Sequence, residues 1–272
     1  MEFFSYVKTI LRMSDPHKKI EEFNKFYQLF TNLTFEHNSS IEVWHEPSYS
    51  KICQIVEPKK LAKRRSLQTK EQRAIFLHAI AHIEYSAIDL ALDAAYRFRN
   101  MPLQFYKDWI EVAADECRHF VMIEDLLVKL GYKYGDFPVH RGLFDAALHS
   151  TTLLARMSVV PRYLEANGLD ANAKIIEKLK QYPDPFAKEM VEALQVILDE
   201  EIDHVKKGDY WFQWACDRAG IQDYVNEYFR QVEQIYPQTK HSKSFLNVKA
   251  RLQAGFSCKE IELLAKERVD CG

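Results

Sequence analysis

The spacing of apolar residues along this chain predicts that it is mainly helical. Long stretches place apolar residues three and four positions apart, the repeat that gathers them on one face of an α-helix. Two short helices are predicted at residues 1–13 and 16–32, the second beginning at Asp15-Pro16. Residues 34–58 lose this repeat, and "NSSIEVWHEP" alternates apolar and polar residues as an extended segment does. We therefore expect little helix in that connection.

Four longer helical patterns follow. The first runs from a predicted N-cap at Thr69 to about Arg99, and the second from Pro102 to Leu130, before Gly131. The third covers about 143–167, is interrupted at "NGLD" and resumes to about Tyr182; the fourth covers about 186–219, before Gly220. The turns "NMP" and "YPDP" join these patterns into two hairpins, the outline of an all-α four-helix bundle with a crossover. The predicted domains are N-terminal helices with the irregular segment (1–65), the bundle (66–220) and a C-terminal helical extension (221–272).

Composition supports helices and limits the classes of partner. Only 8 Gly and 9 Pro occur in 272 residues, whereas turn-rich β-structure would need more. A formal net charge of -2 gives no basis for binding nucleic acid or a membrane surface through overall charge, and we interpret the basic run "KKLAKRR" (59–65) as a solvated helix start or linker. The five cysteines form no Cys-x-x-Cys motif, no apolar stretch spans a bilayer, and the N-terminus lacks a signal peptide's basic region. A cytoplasmic protein with reduced cysteines is expected.

Three glutamates lie on helical faces that are otherwise apolar. The residues three, four and seven positions from Glu84 are all apolar, and those around Glu116 and Glu201 include one polar group each, a histidine three residues on (His119 and His204). An ionised carboxylate in such a stripe is costly unless it is paired or bound to a metal. The face of a fourth glutamate, at position 165, is less apolar, and a proline one turn earlier, at position 161, is expected to distort the third helix.

The two hairpins place these glutamates at matching depths. Glu84 and Glu116 flank the first turn at similar distances, and Glu165 and Glu201 are equally spaced about Pro183. Four helices thus present Glu, Glu-x-x-His, Glu and Glu-x-x-His, the ligand pattern of di-iron and di-manganese carboxylate bundles. The pattern predicts two metal ions, with iron favoured and manganese or a mixed pair open. The alternative is a buried Glu/His network without metal. The predicted ligands are Glu84, Glu116, His119, Glu165, Glu201 and His204.

Other polar residues are weighed against this site. Asp115 and Glu200 each precede a predicted ligand and are candidates to hydrogen-bond a ligating histidine, the alternative being ordinary surface acids. Arg162 shares a face with Glu165; a salt bridge is favoured, and an anionic-substrate role is left open. For the remaining residues the non-metal interpretation is preferred: no ligand role for Glu42 and His45, a hydrogen bond between helices for His82 (four residues after His78), a salt bridge for Arg156, and a core position for Trp211 and Trp214.

The segments "HAIAHIEYSAIDLALD", "DECRHF", "LLARMSVVPRYLEANGLD" and "ILDEEIDHVKKGDYWF" resemble an uncharacterised bacterial ferritin-like-domain family of the ferritin-like di-iron carboxylate superfamily. The resemblance covers about residues 40–255 and implies the six metal ligands named above. It also implies a ferritin-like four-helix bundle with added helices at both ends. Its motifs are specific to the superfamily and not to one activity.

Three functions are compatible with the resemblance. The preferred one is an oxygen-activating oxidase or hydroxylase of an unknown small organic substrate, which would also need an electron donor; the extra helices and residues 34–58 could build its pocket. The first alternative is an iron-handling, ferroxidase-like protein, although additions at both ends would obstruct a storage shell. The second is a non-enzymatic scaffold braced by the metal site. A homodimer is left open.

Overall fold

We describe a computed structural model that covers residues 2–62, 66–237 and 245–272. Within these ranges the chain is helical, and its extended pairing is confined to the isolated bridges Glu2–Thr34 and Ile55–Val139, so the predicted all-α class is confirmed. The end of the basic run, 63–65, lies outside the described residues. The helices are α1 (Phe3–Leu11), α2 (Pro16–Leu29), α3 (Lys70–Arg97), α4 (Leu103–Lys129), α5 (Gly142–His149), α6 (Leu153–Val159), a π-helix (Val160–Glu165), α7 (Ala166–Leu179), α8 (Pro185–Arg218), α9 (Tyr224–Ile235), α10 (Val248–Gln253) and α11 (Cys258–Ala265).

The chain divides into two compact units, Met1–Asp145 and Ala146–Gly272. In the first unit α3 and α4 pack along each other, with α1 against α3 and α2 against α4. Thr69 and Gln72 close a capping box at the start of α3, which satisfies two amides that the helix leaves without partners. Gly131 follows α4 with a φ of 73°, a conformation open to glycine. The expected loss of helix over 34–58 is confirmed, apart from short 3₁₀ turns at Ser48–Lys51 and Pro58–Lys60.

Helix α3 corrects one expectation from the sequence. It is the one helix of the described residues that is long and apolar enough to cross a membrane by length and composition. Its most apolar window is, however, 78% buried inside the protein. The helix is apolar on most of its surface because the core surrounds it, as expected for a central helix of a large core.

A buried polar network ties α2 to α3 in the first unit. The Lys19 ammonium is fully buried; it pairs with the Asp89 carboxylate and donates to Ser48 Oγ at 3.0 Å. Ser48 Oγ in turn donates to the second oxygen of Asp89 at 2.5 Å and lies 3.1 Å from the Tyr85 hydroxyl. Burial lowers the pKa of Lys19 and raises that of Asp89, each opposed by the other's charge. These contacts fix the N-terminal helices on the hairpin.

In the second unit the third helical pattern is broken at a different place from the one predicted. The interruption expected at "NGLD" is wrong, because Gly168 lies inside α7. A glycine within a helix costs only about 1 kcal/mol, so a single one does not have to end it. The break falls instead at residues 150–152, where the Thr152 side chain accepts from the Ala155 amide and starts α6.

The distortion expected at Pro161 is confirmed as a π-helix, Val160–Glu165. A proline inside an α-helix has no amide to donate and clashes with the preceding turn, and a π turn is one way to accommodate it. The ring of Pro161 packs directly on Gly208 of α8, where a Cβ atom would lie 2.2 Å from Pro161 Cβ. A glycine is therefore required at position 208 for this close approach.

The helical extension predicted at the C-terminus contains α9, α10 and α11 within the described residues. Helix α10 has only six residues, too few for a clear apolar repeat. Cys258, the first residue of α11, forms a disulfide with Cys271, which differs from the expectation that all cysteines are reduced. Cys53, Cys117 and Cys216 are buried free thiols.

Candidate metal centre

The first unit brings together three of the predicted ligands in its interior. Glu84 on α3 and Glu116 and His119 on α4 each offer an oxygen or nitrogen atom, and these atoms lie within 4.8 Å of one another. His119 Nδ1 is 3.3 Å from Glu84 Oε2 and 3.5 Å from Glu116 Oε2. The prediction that Glu84 and Glu116 lie at one level of the hairpin is confirmed by this shared histidine.

Burial determines the electrostatics of these three groups. Glu116 and His119 are completely inaccessible to solvent, and Glu84 nearly so. Burial, together with the neighbouring Glu116 charge, raises the pKa of Glu84 to about 7 against the opposing effect of His119. For His119, burial opposes protonation, but the hydrogen bonds and charges of Glu116 and Glu84 outweigh it and raise its pKa. A proton on the imidazole thus stabilises the two carboxylates, and a metal ion bound there would displace it.

The donor set fits a divalent metal ion. The buried Oε2 of Glu84 makes no hydrogen bond of good geometry within the described residues, although it lies 3.3 Å from the imidazole. A buried oxygen without a well-formed hydrogen bond costs about 1–3 kcal/mol of stability, and a coordinated cation would remove that cost. Two carboxylates and one imidazole suit iron or manganese, and a dication balances both negative charges once His119 is neutral.

The second unit holds the matching Glu-x-x-His pair. Glu201 and His204 lie one turn apart on α8, with His204 Nδ1 3.9 Å from Glu201 Oε2. His204 is fully buried and Glu201 is 8% exposed, on the apolar face that the sequence indicated. Each unit therefore buries a glutamate and a histidine one helical turn apart.

Glu165 lies at the last position of the π-helix, and its Oε2 is buried. A π turn closes hydrogen bonds between residues five apart, so it changes the direction of every side chain that follows relative to a regular α-helix. π-Helical turns are frequent at functional sites, which fits a ligand role for Glu165. That role, like the two-metal assignment of all six residues, stays a prediction.

Asp115 and Glu200, the acids predicted to hydrogen-bond a ligating histidine, are both only partly buried. Asp115 is half-buried and pairs with Arg118 on the same helix at 2.5 Å. Glu200 is half-buried next to Glu201. Hydrogen bonds from these acids to a ligating histidine stay a prediction.

Arg162 is salt-bridged, as the sequence favoured. Its guanidinium lies 2.8 Å from Asp209 through Nε and 2.8 Å from Glu260 through Nη2, and it is 2% exposed. The two carboxylates already balance the positive charge with which Arg162 would bind an anionic substrate. This pairing disfavours the substrate role. Arg156, also buried, donates to Ser150 Oγ at 2.9 Å and to the Ala147 carbonyl at 2.7 Å.

The remaining candidates make non-metal contacts. His82 lies 2.9 Å from both the Tyr134 hydroxyl and the His140 carbonyl, so it is hydrogen-bonded, but to the connection after α4 and not to another helix as predicted. His78 Nε2 accepts from the Gly135 amide at 2.9 Å. The half-buried Glu42 pairs with Lys8 at 2.6 Å. Trp211 is buried as expected, whereas Trp214 is only half-buried.

No sequence pattern indicated which groups surround Arg162. Asp209 shares its helix with Glu201 and His204, but Glu260 lies 98 residues along the chain from Arg162. Such a separation leaves no local pattern, and a charged residue on a short amphipathic helix looks like a surface group. The one signal was Arg162 itself, a charged residue predicted on the face of Glu165.

Comparison with known proteins gives two matches. A family model described as "Protein of unknown function (DUF455)" matches residues 12–262, a range that includes all six predicted ligands. A curated protein of Haemophilus influenzae (strain ATCC 51907 / DSM 11121 / KW20 / Rd), named "Uncharacterized protein", is 36% identical over 274 residues, covering 96% of this chain and 93% of that protein. No solved structure matches the chain at a significant level.

Proposed function

We propose, given that this chain belongs to the DUF455 family of proteins of unknown function, that it is a dinuclear metal-carboxylate protein of the ferritin-like kind. The observation that carries the proposal is the buried set of Glu84, Glu116 and His119, whose ligand atoms lie within 4.8 Å of one another. Fold-level likeness alone would not support it, since one fold serves many functions.

Charge balance in the first unit argues for a metal rather than a metal-free network. Two carboxylates and one imidazole lie together among groups that are almost fully buried. Burying carboxylate charge is expensive in a medium of low polarity. A divalent ion with neutral His119 balances both carboxylates, and each ligand gains a strong bond in place of the lost water.

The second unit repeats the same chemistry. Glu201 and His204 have the spacing of Glu116 and His119, and Glu165, the last residue of the π-helix, would supply a second carboxylate. Each set of two carboxylates and one imidazole balances one dication. Two sets in one chain favour two ions, and the six ligands of the proposal are Glu84, Glu116, His119, Glu165, Glu201 and His204.

The activity that this ligand set supports best is oxidation or hydroxylation of a small organic substrate, with iron as the preferred metal. Two reducible metal ions would supply oxygen activation, with electrons from a separate donor. The chain's own contribution is to neutralise the ions with carboxylates, to orient them with His119 and His204, and to exclude water. The apolar neighbours Leu77, Ile80, Ile123, Leu194 and Ile197, all buried, provide that exclusion.

Metal analysis of isosteric variants tests the metal site. We expect the full chain, loaded anaerobically with Fe²⁺, to bind two ions by mass spectrometric metal analysis. Glu116→Gln and Glu201→Gln should each weaken binding of at least one ion by 10-fold or more, because each removes a charged ligand. The exposed residues Glu111 and Glu192 on the same two helices provide matched controls, and Glu111→Gln and Glu192→Gln should retain both ions. Unchanged metal content in the two ligand variants would refute the site.

Oxygen uptake distinguishes an oxygen-activating enzyme from a protein that only binds metal. We expect the Fe²⁺-loaded chain to consume oxygen faster than the same concentration of free Fe²⁺ under identical conditions. Two bound ions that exchange slowly and do not speed oxygen consumption would instead indicate a metal-braced scaffold.

A further inference from the structure

The C-terminal extension contacts the backbone of the π-helix and of the residue that follows it. The Tyr228 hydroxyl on α9 donates to the Arg162 carbonyl at 3.1 Å, inside the π-helix. Arg251 Nη2 on α10 donates to the Ala166 carbonyl at 2.9 Å, immediately after Glu165. A π turn does not follow the regular backbone hydrogen-bond pattern of an α-helix. Side chains that donate hydrogen bonds to its carbonyls therefore stabilise it. Both donors are buried.

The same extension also contacts the side chain of Arg162. Glu260 of α11 accepts from Arg162 Nη2 at 2.8 Å, while Asp209 of α8 lies 2.8 Å from Nε. The guanidinium is enclosed by the rings of Phe212, Tyr228 and Phe256, whose centroids lie 4.5, 4.6 and 4.8 Å from its central carbon. A planar cation held by two carboxylates and three rings has one orientation, which fixes the π-helix from its side-chain face.

A second buried ion pair fixes the start of α7. Arg251 donates to both carboxylate oxygens of Asp170, at 3.0 and 2.7 Å. Paired hydrogen bonds of this kind constrain direction as well as distance. The chain is thus held by the extension on both sides of Glu165, at Arg162 before it and at Ala166 and Asp170 after it.

We propose that Tyr228, Arg251 and Glu260 are positioning residues for the metal ligand Glu165. The inference rests on the proposed function, because it assigns to the C-terminal extension the task of presenting one ligand of that site. A π-helix that contains a proline has little intrinsic stability, so the outer contacts determine where its last residue points. Outer partners of metal ligands change metal affinity by about 10–100-fold when they are removed.

The test uses two mild variants of the full chain, Tyr228→Phe and Glu260→Gln, under non-reducing conditions. Tyr224→Phe on α9 and Glu262→Gln on α11 are matched controls, because these residues lie on the same helices as the test residues and the Tyr224 hydroxyl donates to Asp217 on α8. The probe is Co²⁺, titrated anaerobically and followed by its visible absorption, which reports the coordination number. Hydrogen exchange of the amides of residues 160–166 is measured on the metal-free chain, and the melting temperature on every protein.

We expect both test variants to bind one of two Co²⁺ ions 10-fold or more weakly, with an altered absorption band and faster exchange at 160–166. The controls should match the wild type. A purely structural role would lower the melting temperature and leave the Co²⁺ affinity and spectrum unchanged, which overturns the proposal, as does unchanged exchange at 160–166. Failure of the wild type to bind Co²⁺ would refute the proposed function itself and is recognised before any variant is made.

Discussion

Replacing Gly208 by alanine should destabilise the protein, although alanine is the better helix former. Within α8 the exchange alone would stabilise by about 1 kcal/mol. The added Cβ, however, would lie 2.2 and 2.3 Å from Cβ and Cγ of Pro161, far closer than carbon atoms approach. Overpacking a core costs about 1–3 kcal/mol, and a rigid proline ring in a π-helix cannot turn aside, so the upper end applies. We expect a net loss of about 2 kcal/mol in the free energy of unfolding.

Gly168→Ala is the matched control. Gly168 is also helical, in α7, and an added Cβ meets no atom within 4 Å. The expected change is a gain of about 0.5–1 kcal/mol, opposite in sign to that of Gly208→Ala. Urea unfolding followed by circular dichroism at 222 nm measures both changes. The double variant Gly208→Ala/Pro161→Ala should recover part of the loss, because Cγ is removed and the remaining Cβ is no longer held in a rigid ring. If Gly208→Ala were as stable as Gly168→Ala, the close contact between α8 and the π-helix would not exist.

Two further predictions concern buried ionisable groups. Burial lowers the pKa of His78 to about 4, so the unfolded chain takes up this proton first as the pH falls from 6.5. The buried neutral His78 therefore contributes about 3 kcal/mol to the free energy of unfolding above pH 6.5, and this contribution is lost as the pH falls toward 4. Denaturation at several pH values should show that the free energy of unfolding of His78→Gln depends less steeply on pH. An unchanged dependence would contradict the assignment. Lys19→Met leaves Asp89 buried without its partner and should cost about 3–5 kcal/mol. Lys19→Met/Asp89→Leu should recover most of that loss in the same assay, whereas equal losses would rule out the buried pair.

The sequence predicted the features that depend on local chemistry. The capping box at Thr69, the positive φ of Gly131 and Gly220, and the helical hairpins follow from residue types within a few positions. The cluster of Glu84, Glu116 and His119 was also predictable, because a charged residue in an apolar stripe is recognisable from spacing alone. Counting residues outward from the "NMP" turn then placed Glu84 and Glu116 at the same level of the hairpin.

The features that the sequence missed depend on distant partners. Gly168 suggested a helix break, but an isolated glycine in open space costs too little to end α7. Pro161 indicated a distortion without specifying its form, and the close packing of its ring on Gly208 of α8 is a contact between positions far apart in the sequence. The contacts of Arg162 and Arg251 join α7 and the π-helix to α10 and α11, across 81 to 98 residues, and only the folded chain shows them.

The π-helix has a consequence for aligning this chain with its relatives. A turn closed between residues five apart carries one residue more than the α-turn it replaces. Deleting one residue between Val160 and Glu165 would let α6 and α7 join as one regular helix, with the segments before and after rotated relative to each other by about 100°. A relative that lacks this residue would therefore keep the length of the helix and present another side chain where this chain presents Glu165. Single-residue gaps at this position are informative about which relatives share the same ligand set.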